Sequence, residues 1–159
     1  MQIRPFSLSD TDAVIEVWRL SGLLRPSNDP RKDIARKLKV RPDLFLVGVL
    51  DAEVVATAMA GYDGHRGWIN YLGVLPKYQR RGYARRLLEE AERLLRLEGC
   101  PKINLQVIAS NAQAIAFYGR IGFIQDPVLS FGKRLEDDQI YDTDGSGQPR
   151  REPPSSPTH

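Results

Sequence analysis

The chain contains very little cysteine and histidine. Its 159 residues include one cysteine, Cys100, and two histidines, of which only His65 lies outside the C-terminal tail. One cysteine excludes a disulfide framework within the chain. One cysteine and one internal histidine do not provide a ligand set, so we expect no metal. Cys100 has no partner nearby in the sequence and is interpreted as a small buried hydrophobe rather than a nucleophile.

Long apolar runs and a strong charge of one sign are also missing. No stretch reaches the ~18 apolar residues of a membrane span, and the first ten residues, MQIRPFSLSD, lack the apolar core of a signal peptide. We therefore expect a cytoplasmic protein with no membrane partner. The formal charge of +3 and the pI near 9.1 are only mildly basic and do not identify a partner.

The composition is that of one ordinary globular domain. The apolar content of 42% and the charged content of 27% are close to globular averages, and the length suits a single core. Residues 142–159 differ, because they contain four prolines and no aliphatic or aromatic side chain. We predict a domain at residues 1–141 and a disordered tail at residues 142–159.

The N-terminal third predicts a strand followed by two helices. MQIRPF is typical of a short strand, and apolar residues at helical spacing then predict a helix capped by Ser9 or Asp10. A second helix is expected after Asn28 or Asp29, with Pro30 in its first turn.

The rest of the chain predicts a sheet with further helices. DLFLVGVL and EVVATAMAGY flank Asp51 and Ala52 and predict a hairpin, and DGHRG is a second turn. WINYLGV is apolar at nearly every position, as in a strand covered on both faces. The remaining signals are a helix after Gly82, the strand KINLQVI, the helix SNAQAIAFYGRIG, and terminal strands in FIQD and VLSFGKRL. Together they predict a mixed α/β (α+β) fold with helices on the faces of the sheet.

The stretch PKYQRRGYARRLLEEAE is unusual at the start of its helix. No Ser, Thr, Asp or Asn caps it, and Arg80 and Arg81 bring cations to an end where the helix dipole favours anions. A phosphate there could accept the free N–H groups, and Gly82 would let it approach closely. The alternative is that both arginines are solvated and Gly82 forms a plain turn. P-loop and dinucleotide fingerprints are absent.

Two motifs in order resemble a known family. YLGV, a loop and Gln79-x-x-Gly82-x-Ala84 resemble the acetyl-CoA motif [RQ]-x-x-G-x-[GA] of the GNAT N-acetyltransferases. Downstream, SNAQAIAFYGRIGF is similar to the second family signature, N-x-x-A-x-x-x-Y-x-x-x-G-F. The resemblance spans about residues 1–137. LLRPSNDP, GYDGHRG and LSFGKRL look more narrowly like the bacterial YpeA-like branch.

The resemblance implies a fold and an activity. The fold would be a mixed, mostly antiparallel sheet of about six to seven strands with helices on both faces. The activity would be transfer of an acetyl group from acetyl-CoA, as co-substrate, to a primary amine of a small molecule, an amino-acid derivative or a protein. Such an acyltransferase would act as a monomer or a homodimer.

The resemblance also assigns roles to individual residues. It implies Tyr118 as the catalytic acid that protonates the leaving thiolate, whereas the residues alone indicate a partly buried helix tyrosine. Backbone groups at a bulge in the fourth strand would bind pantetheine, amides at the helix start would bind the pyrophosphate, and the Asn111 amide would bond the pantetheine arm. The implied acetyl-CoA-binding residues are Leu72, Gly73, Val74, Gln79, Arg80, Arg81, Gly82, Tyr83, Ala84, Arg85, Asn111 and Tyr118.

The general base is not assigned. Gln106 stands where some relatives carry a glutamate, and an amide cannot accept a proton. A water relay, another residue or an already neutral amine remain open. The candidates are Asp63 and His65 as bases and Asn70, Tyr71 and Gln106 as partners of a water. For Asp63, the interpretation we favour is that it shapes the turn.

Two further functions and the acceptor site are also open at this point. The missing glutamate would suit a catalytically silent module that binds coenzyme A as a sensor. Nucleic-acid binding through the arginines is disfavoured, because three glutamates interrupt the basic run on the next turns. Asp29 and Asp33 could attract a cationic amine, but we interpret them as helix N-terminal residues favoured by the dipole.

Overall fold

The computed structural model describes residues 1–136 and residue 138, so the predicted tail at residues 142–159 lies outside the described residues. This part of the chain forms a sheet flanked by α-helices. The strands are β1 (Gln2–Pro5), β2 (Phe45–Leu50), β3 (Glu53–Tyr62), β4 (Gly67–Val74) and β5 (Ile103–Leu105). The helices are α1 (Thr11–Leu20), α2 (Pro30–Leu38), α3 (Tyr83–Leu97) and α4 (Ala112–Arg120).

The sheet follows chain order, β1-β2-β3-β4-β5. Neighbouring strands are antiparallel from β1 to β4, and β5 runs parallel to β4. Asp51 and Ala52 join β2 to β3 with φ values of 48° and 64°. Positive φ at both residues of a two-residue loop is the conformation of a type I′ turn, which suits the twist of a hairpin. The predicted hairpin is confirmed.

Helices cover both faces of the sheet, as predicted. A Cβ atom on Gly73 would lie 2.9 Å from Leu23 Cδ1, just beyond α1, whereas one on Gly67 would lie 3.2 Å from Leu95 Cδ1 of α3. The two glycines face opposite sides of β4. The core on these two sides includes the fully buried side chains of Trp18, Phe45, Leu44, Leu46, Leu87, Leu88, Leu95, Val14, Val17, Val47 and Val55.

The predicted count of six to seven strands is wrong for the described residues, which form a sheet of five. FIQD and VLSFGKRL contain no strand. Their apolar side chains do not pack on the sheet: Ile124, Phe131 and Leu135 are 89%, 91% and 89% exposed. Apolar β-prone residues form a strand only where their backbone can pair, and Pro127 and Gly132 interrupt this stretch.

Two further strand predictions also need correction. WINYLGV is not covered on both faces, because Trp68 is 37% exposed and Asn70 is exposed as well. The strand predicted from KINLQVI is limited to the three residues of β5. No helix in the described part of the chain is long and apolar enough to cross a membrane.

Candidate active site

A β-bulge interrupts the pairing of β3 with β4. Thr57 pairs with Gly73 and Met59 pairs with Asn70, so Tyr71 and Leu72 together lie opposite the single residue between Thr57 and Met59. Tyr71 has φ 50°, in the left-handed region that bulky residues rarely adopt. A bulge leaves an extra residue unpaired and redirects its neighbours. The predicted bulge is therefore present, and it includes the first of the three residues implied to bind pantetheine.

Buried hydrogen bonds hold the bulge from behind. Trp18 Nε1 of α1 donates to Thr57 Oγ1 at 3.0 Å, and Thr57 Oγ1 donates to the Tyr71 carbonyl at 2.9 Å. Trp18 and Thr57 are both completely buried. Because buried polar groups are costly to leave unpaired, this chain of bonds fixes the backbone at the bulge.

The bulge lies where β4 and β5 part. These two strands pair only from Gly67 with Ile103 to Ile69 with Leu105. Beyond this point β4 continues to Val74, while β5 has ended. The second half of β4, with its bulge, therefore has no strand partner on that side within the described residues.

The start of α3 presents unpaired backbone amides. Gly82 caps the helix with φ 79°, and no side chain accepts from the first turn. The first amide to find a backbone acceptor is that of Arg86, which donates to the Gly82 carbonyl at 3.1 Å; the amides of residues 83–85 have no acceptor in residues 1–136 and 138. Such a helix start attracts an anion.

The arginines beside this helix start are exposed. Neither Arg80 nor Arg81 has a carboxylate within ion-pair distance among the described residues, and the Arg81 guanidinium lies 5.4 Å from the centre of the Tyr78 ring. Arg85 instead pairs with Glu89 at 2.8 Å, as its helical spacing predicts. Arg80 and Arg81 thus add positive charge that the described part of the protein does not neutralise nearby.

The bulge and the helix start are joined by one side chain. Gln79 Nε2 donates to the Val74 carbonyl at 3.0 Å. The same carbonyl accepts from Ser21 Oγ at 3.1 Å. Ten of the implied acetyl-CoA-binding residues, at positions 72–74 and 79–85, therefore form two segments of the chain that this bond ties together across the loop between them.

Asn111 caps α4 and keeps its amide nitrogen available. Its Oδ1 accepts from the Ala114 amide at 3.0 Å. Nδ2 has no hydrogen-bond partner among the described residues. The side chain can therefore cap the helix and donate to a ligand at the same time.

Tyr118 lies half-buried on α4 against the core. Its ring makes edge contacts with Phe117 and Phe123, with ring centres 5.1 and 5.5 Å away. Burial raises the pKa of Tyr118 to about 12, so the phenol is neutral near pH 7 and can donate a proton or a hydrogen bond. Tyr118 lines a cleft of about 1550 Å³ beside β5, together with Asn104 and Gln106. The bulge and the α3 start do not line this cleft.

Two candidate bases lie at the end of β4 that is far from the bulge. Asp63 and His65 are exposed in the β3–β4 turn, and at about 3.3 Å per residue the strand places that turn roughly 15 Å from the bulge. The Asp63 Oδ1 atom accepts the amides of His65 and Arg66 at 2.8 and 2.7 Å, and these bonds lower the pKa of Asp63. Asp63 therefore shapes the turn.

Two of the residues suggested as hydrogen-bonding partners of a water are polar and exposed. Gln106 follows the last residue of β5, is exposed, and donates through Nε2 to Ser130 Oγ. Asn70 is also exposed, on the strand immediately before the bulge. Cys100 is half-buried at the core edge, and its thiol donates to the Lys102 carbonyl at 3.3 Å, which agrees with a structural role.

The structure adds one contact that the sequence does not indicate. The Tyr71 hydroxyl donates to Asp33 Oδ2 of α2 at 2.5 Å, over a separation of 38 residues. The sequence suggests Asp33 as a helix N-terminal residue or an amine anchor, and Tyr71 only as a partner of a water. No local pattern connects the two, so only the tertiary fold could reveal the pair.

Comparison with known proteins identifies the family. Residues 13–123 match the sequence profile of the family described as Acetyltransferase (GNAT) family. The chain belongs to the GNAT acetyltransferase family. A curated acetyltransferase of Sodalis glossinidius (strain morsitans) is 50% identical over 142 residues, which cover 89% of this chain and all of the relative. The narrower YpeA-like assignment stays a prediction.

Solved structures share the GNAT fold. The PaiA N-acetyltransferase of Thermoplasma acidophilum, in complex with coenzyme A, is similar with a TM-score of 0.71 and 21% identity, over 80% of this chain and 91% of that one. The aminoglycoside acetyltransferase AAC(6')-Iy, in complex with a bisubstrate analogue, is similar with a TM-score of 0.69 and 18% identity, over 84% and 97% of the two chains. The mixed, mostly antiparallel GNAT fold is therefore confirmed.

Proposed function

We propose that this GNAT protein transfers the acetyl group of acetyl-CoA to a primary amine. The observation that carries the proposal is the run of unpaired amides at the start of α3, tied by Gln79 to the end of the bulged strand β4. A phosphate-binding helix start beside a distorted strand suits a long ligand with a pyrophosphate at one end and a reactive thioester at the other.

The donor would bind along these two segments of the chain. Its pyrophosphate would accept the amides of residues 80–85, with added charge from Arg80 and Arg81. Its pantetheine arm would run along the backbone of residues 72–74 and accept a hydrogen bond from Asn111 Nδ2. Gly82 has no neighbouring atom within 4 Å of the place where a Cβ would lie, so the approach to the helix start is open.

The chemistry would be direct acyl transfer. The amine nitrogen attacks the acetyl carbonyl carbon to give a tetrahedral intermediate whose oxyanion is stabilised by N–H groups at and just after the bulge, that of Val74 among them. The C–S bond then breaks, the amide product leaves, and the thiolate takes its proton from Tyr118. An ammonium group loses one proton to water before it binds, and the attacking nitrogen loses a second proton to water as the intermediate collapses. The Tyr118 phenolate then regains its proton from water, so that one proton is released overall.

The acceptor is proposed only as a class. It is a primary amine of a small molecule, an amino-acid derivative or a protein. PaiA and AAC(6')-Iy are named as an N-acetyltransferase and an aminoglycoside N-acetyltransferase, which supports an amine acceptor here. A cytoplasmic location and a monomeric or homodimeric state belong to the same proposal.

The test is turnover by the purified protein. Acetyl-CoA is mixed with a panel of amines, and the release of free thiol is followed. We expect thiol release with at least one amine, and Tyr118→Phe should reduce it about 100-fold or more, because a general acid contributes that much. Tyr62→Phe is the matched control, since the Tyr62 hydroxyl donates only to the Gly64 carbonyl in the distant hairpin turn.

The pH dependence tests the missing base. With no enzymatic base, the rate should rise with pH through the pKa of each amine itself, and the midpoint should move when the amine is changed. A midpoint common to all amines would instead indicate a titrating group on the protein. Because the pKa of Tyr118 is about 12, its phenol stays protonated throughout the rise.

A second candidate function is a silent coenzyme A sensor, which the amide of Gln106 next to β5 favours. Tight binding of coenzyme A with no thiol release on any amine would support the sensor and contradict the enzyme.

A further inference from the structure

Tyr71 occupies a backbone conformation that needs support. Its φ of 50° lies in the left-handed region, where a bulky side chain is uncommon and is held only by its surroundings. It is also a residue of the bulge itself, directly before Leu72, where the proposed pantetheine-binding amides begin.

Three different elements hold Tyr71. Its ring stacks on Trp18 of α1, with ring centres 3.9 Å apart. Its carbonyl accepts from Thr57 of β3 at 2.9 Å. Its hydroxyl donates to Asp33 of α2 at 2.5 Å. Burial, and then the bond to Asp33, raise the pKa of Tyr71 to about 12, so the hydroxyl keeps its proton and remains a donor.

Asp33 is occupied rather than free to bind an amine. Its Oδ2 accepts from Tyr71, and its Oδ1 accepts from Arg36 at 3.2 Å. Arg36 in turn forms a bidentate pair with the buried Asp138. A carboxylate with both oxygens bonded within the protein suits an anchor better than a ligand for a cation.

We propose that the hydrogen bond between Tyr71 and Asp33 positions the β4 bulge for acetyl transfer. It fixes the one strained residue of the bulge to α2, so that the amides of residues 72–74 keep one orientation toward the thioester. Tyr71 and Asp33 are positioning residues, since they act through those amides. The effect of this hydrogen bond on catalysis rests on the proposed function, whereas its effect on the bulge rests on the structure alone.

The first experiment removes only the hydroxyl. Tyr71→Phe keeps the ring on Trp18 and loses the bond to Asp33. We expect kcat to fall about tenfold or more, because small misplacements of catalytic groups cost up to about 100-fold. The Kd of coenzyme A should change less than kcat, because the proposed pyrophosphate site at the start of α3 is untouched and only the contacts of the pantetheine arm are loosened.

Variants of Asp33 then show whether the pair acts as a unit. Asp33→Ala should lower kcat as Tyr71→Phe does, and the double variant should lose no more than either single one, as expected for two partners of one interaction. Asp33→Asn keeps an acceptor oxygen and should recover most of kcat. Additive losses, or no recovery in Asp33→Asn, would overturn the inference.

Amide hydrogen exchange measures the bulge without reference to activity. In Tyr71→Phe the amides of residues 72–74 should exchange faster, while those of β2 stay unchanged; the matched control Tyr62→Phe should change neither. Faster exchange throughout the sheet would mean a general structural role and would overturn the inference. If the wild-type protein shows no turnover, the proposed function fails, and exchange at residues 72–74 alone decides the inference: selective acceleration supports it and unchanged exchange overturns it.

Discussion

The helices α2 and α3 begin in opposite ways. At α2, Asp29 Oδ1 accepts from the amides of Arg31 and Lys32 at 2.8 and 3.2 Å, and Pro30 fills the first position. At α3, Gly82 offers no side chain and the first-turn amides stay unpaired among the described residues. Helix α2 satisfies its first-turn amides with its own side chain, whereas α3 has no side chain that accepts from its first-turn amides. A capped helix start stabilises the helix, whereas an uncapped, cationic one has the electrostatics that attract an anion.

The largest effect is expected from a carboxylate at the α3 start. Gly82→Glu should weaken coenzyme A binding about 100-fold, because like charges in contact cost several kcal/mol. Gly82→Gln is the matched control: it carries the same bulk and the same strain at φ 79°, but no charge. Calorimetric titration compares the two, and equal affinities would place the phosphates elsewhere.

A smaller effect on coenzyme A binding is expected at α4, where Asn111 would both cap the helix and donate a hydrogen bond to the cofactor. Asn111→Asp keeps the capping oxygen but loses Nδ2, so binding of coenzyme A should weaken about tenfold while Tm stays nearly constant. Asn111→Ser serves as a second variant that caps without an amide. If both the affinity for coenzyme A and Tm are unchanged in these two capping variants, Asn111 is a cap and nothing more.

At α2 we expect a loss of stability with no loss of coenzyme A affinity. Asp29→Ala should lower the free energy of unfolding by about 1 kcal/mol, measured by urea denaturation, and leave coenzyme A affinity unaltered. Asp29→Ser, which can still cap, should recover most of the loss. A drop in affinity for Asp29→Ala would break the contrast between the two helix starts.

The smallest effect is expected from a single exposed arginine. Arg81→Gln should weaken coenzyme A binding about threefold near 0.15 M salt, since exposed charges are well screened. The difference from wild type should shrink as salt is raised. A difference that is independent of salt would point to the loss of the Tyr78 contact instead of a charge effect.

Local chemistry makes several features predictable. Asp51 and Ala52 join two β-rich runs, Asp29 precedes Pro30, and Gly82 follows two arginines with no capping residue; each pattern acts over a few neighbouring residues. The two helix starts can therefore be distinguished from the amino-acid sequence alone. The two signatures also indicate the family that the comparison confirms.

Pairing between distant segments is not predictable in the same way. The exposed faces of Trp68 and Asn70 depend on what lies against β4, and FIQD and VLSFGKRL form no strand although their residues favour one. An apolar run indicates that the segment favours burial, but it does not specify which other segment will cover it. The bond from Tyr71 to Asp33 has the same origin, since nothing in either segment specifies the other.

The sequence by itself determined the starts of α2 and α3, the hairpin turns and the family, because these depend on residues within a few positions of one another. The tertiary structure decided the register shift that makes the bulge, the positive φ of Tyr71 and its bond to α2. A one-residue shift between strands depends on how both faces pack, and that packing exists only once β3, β4 and the two N-terminal helices have come together.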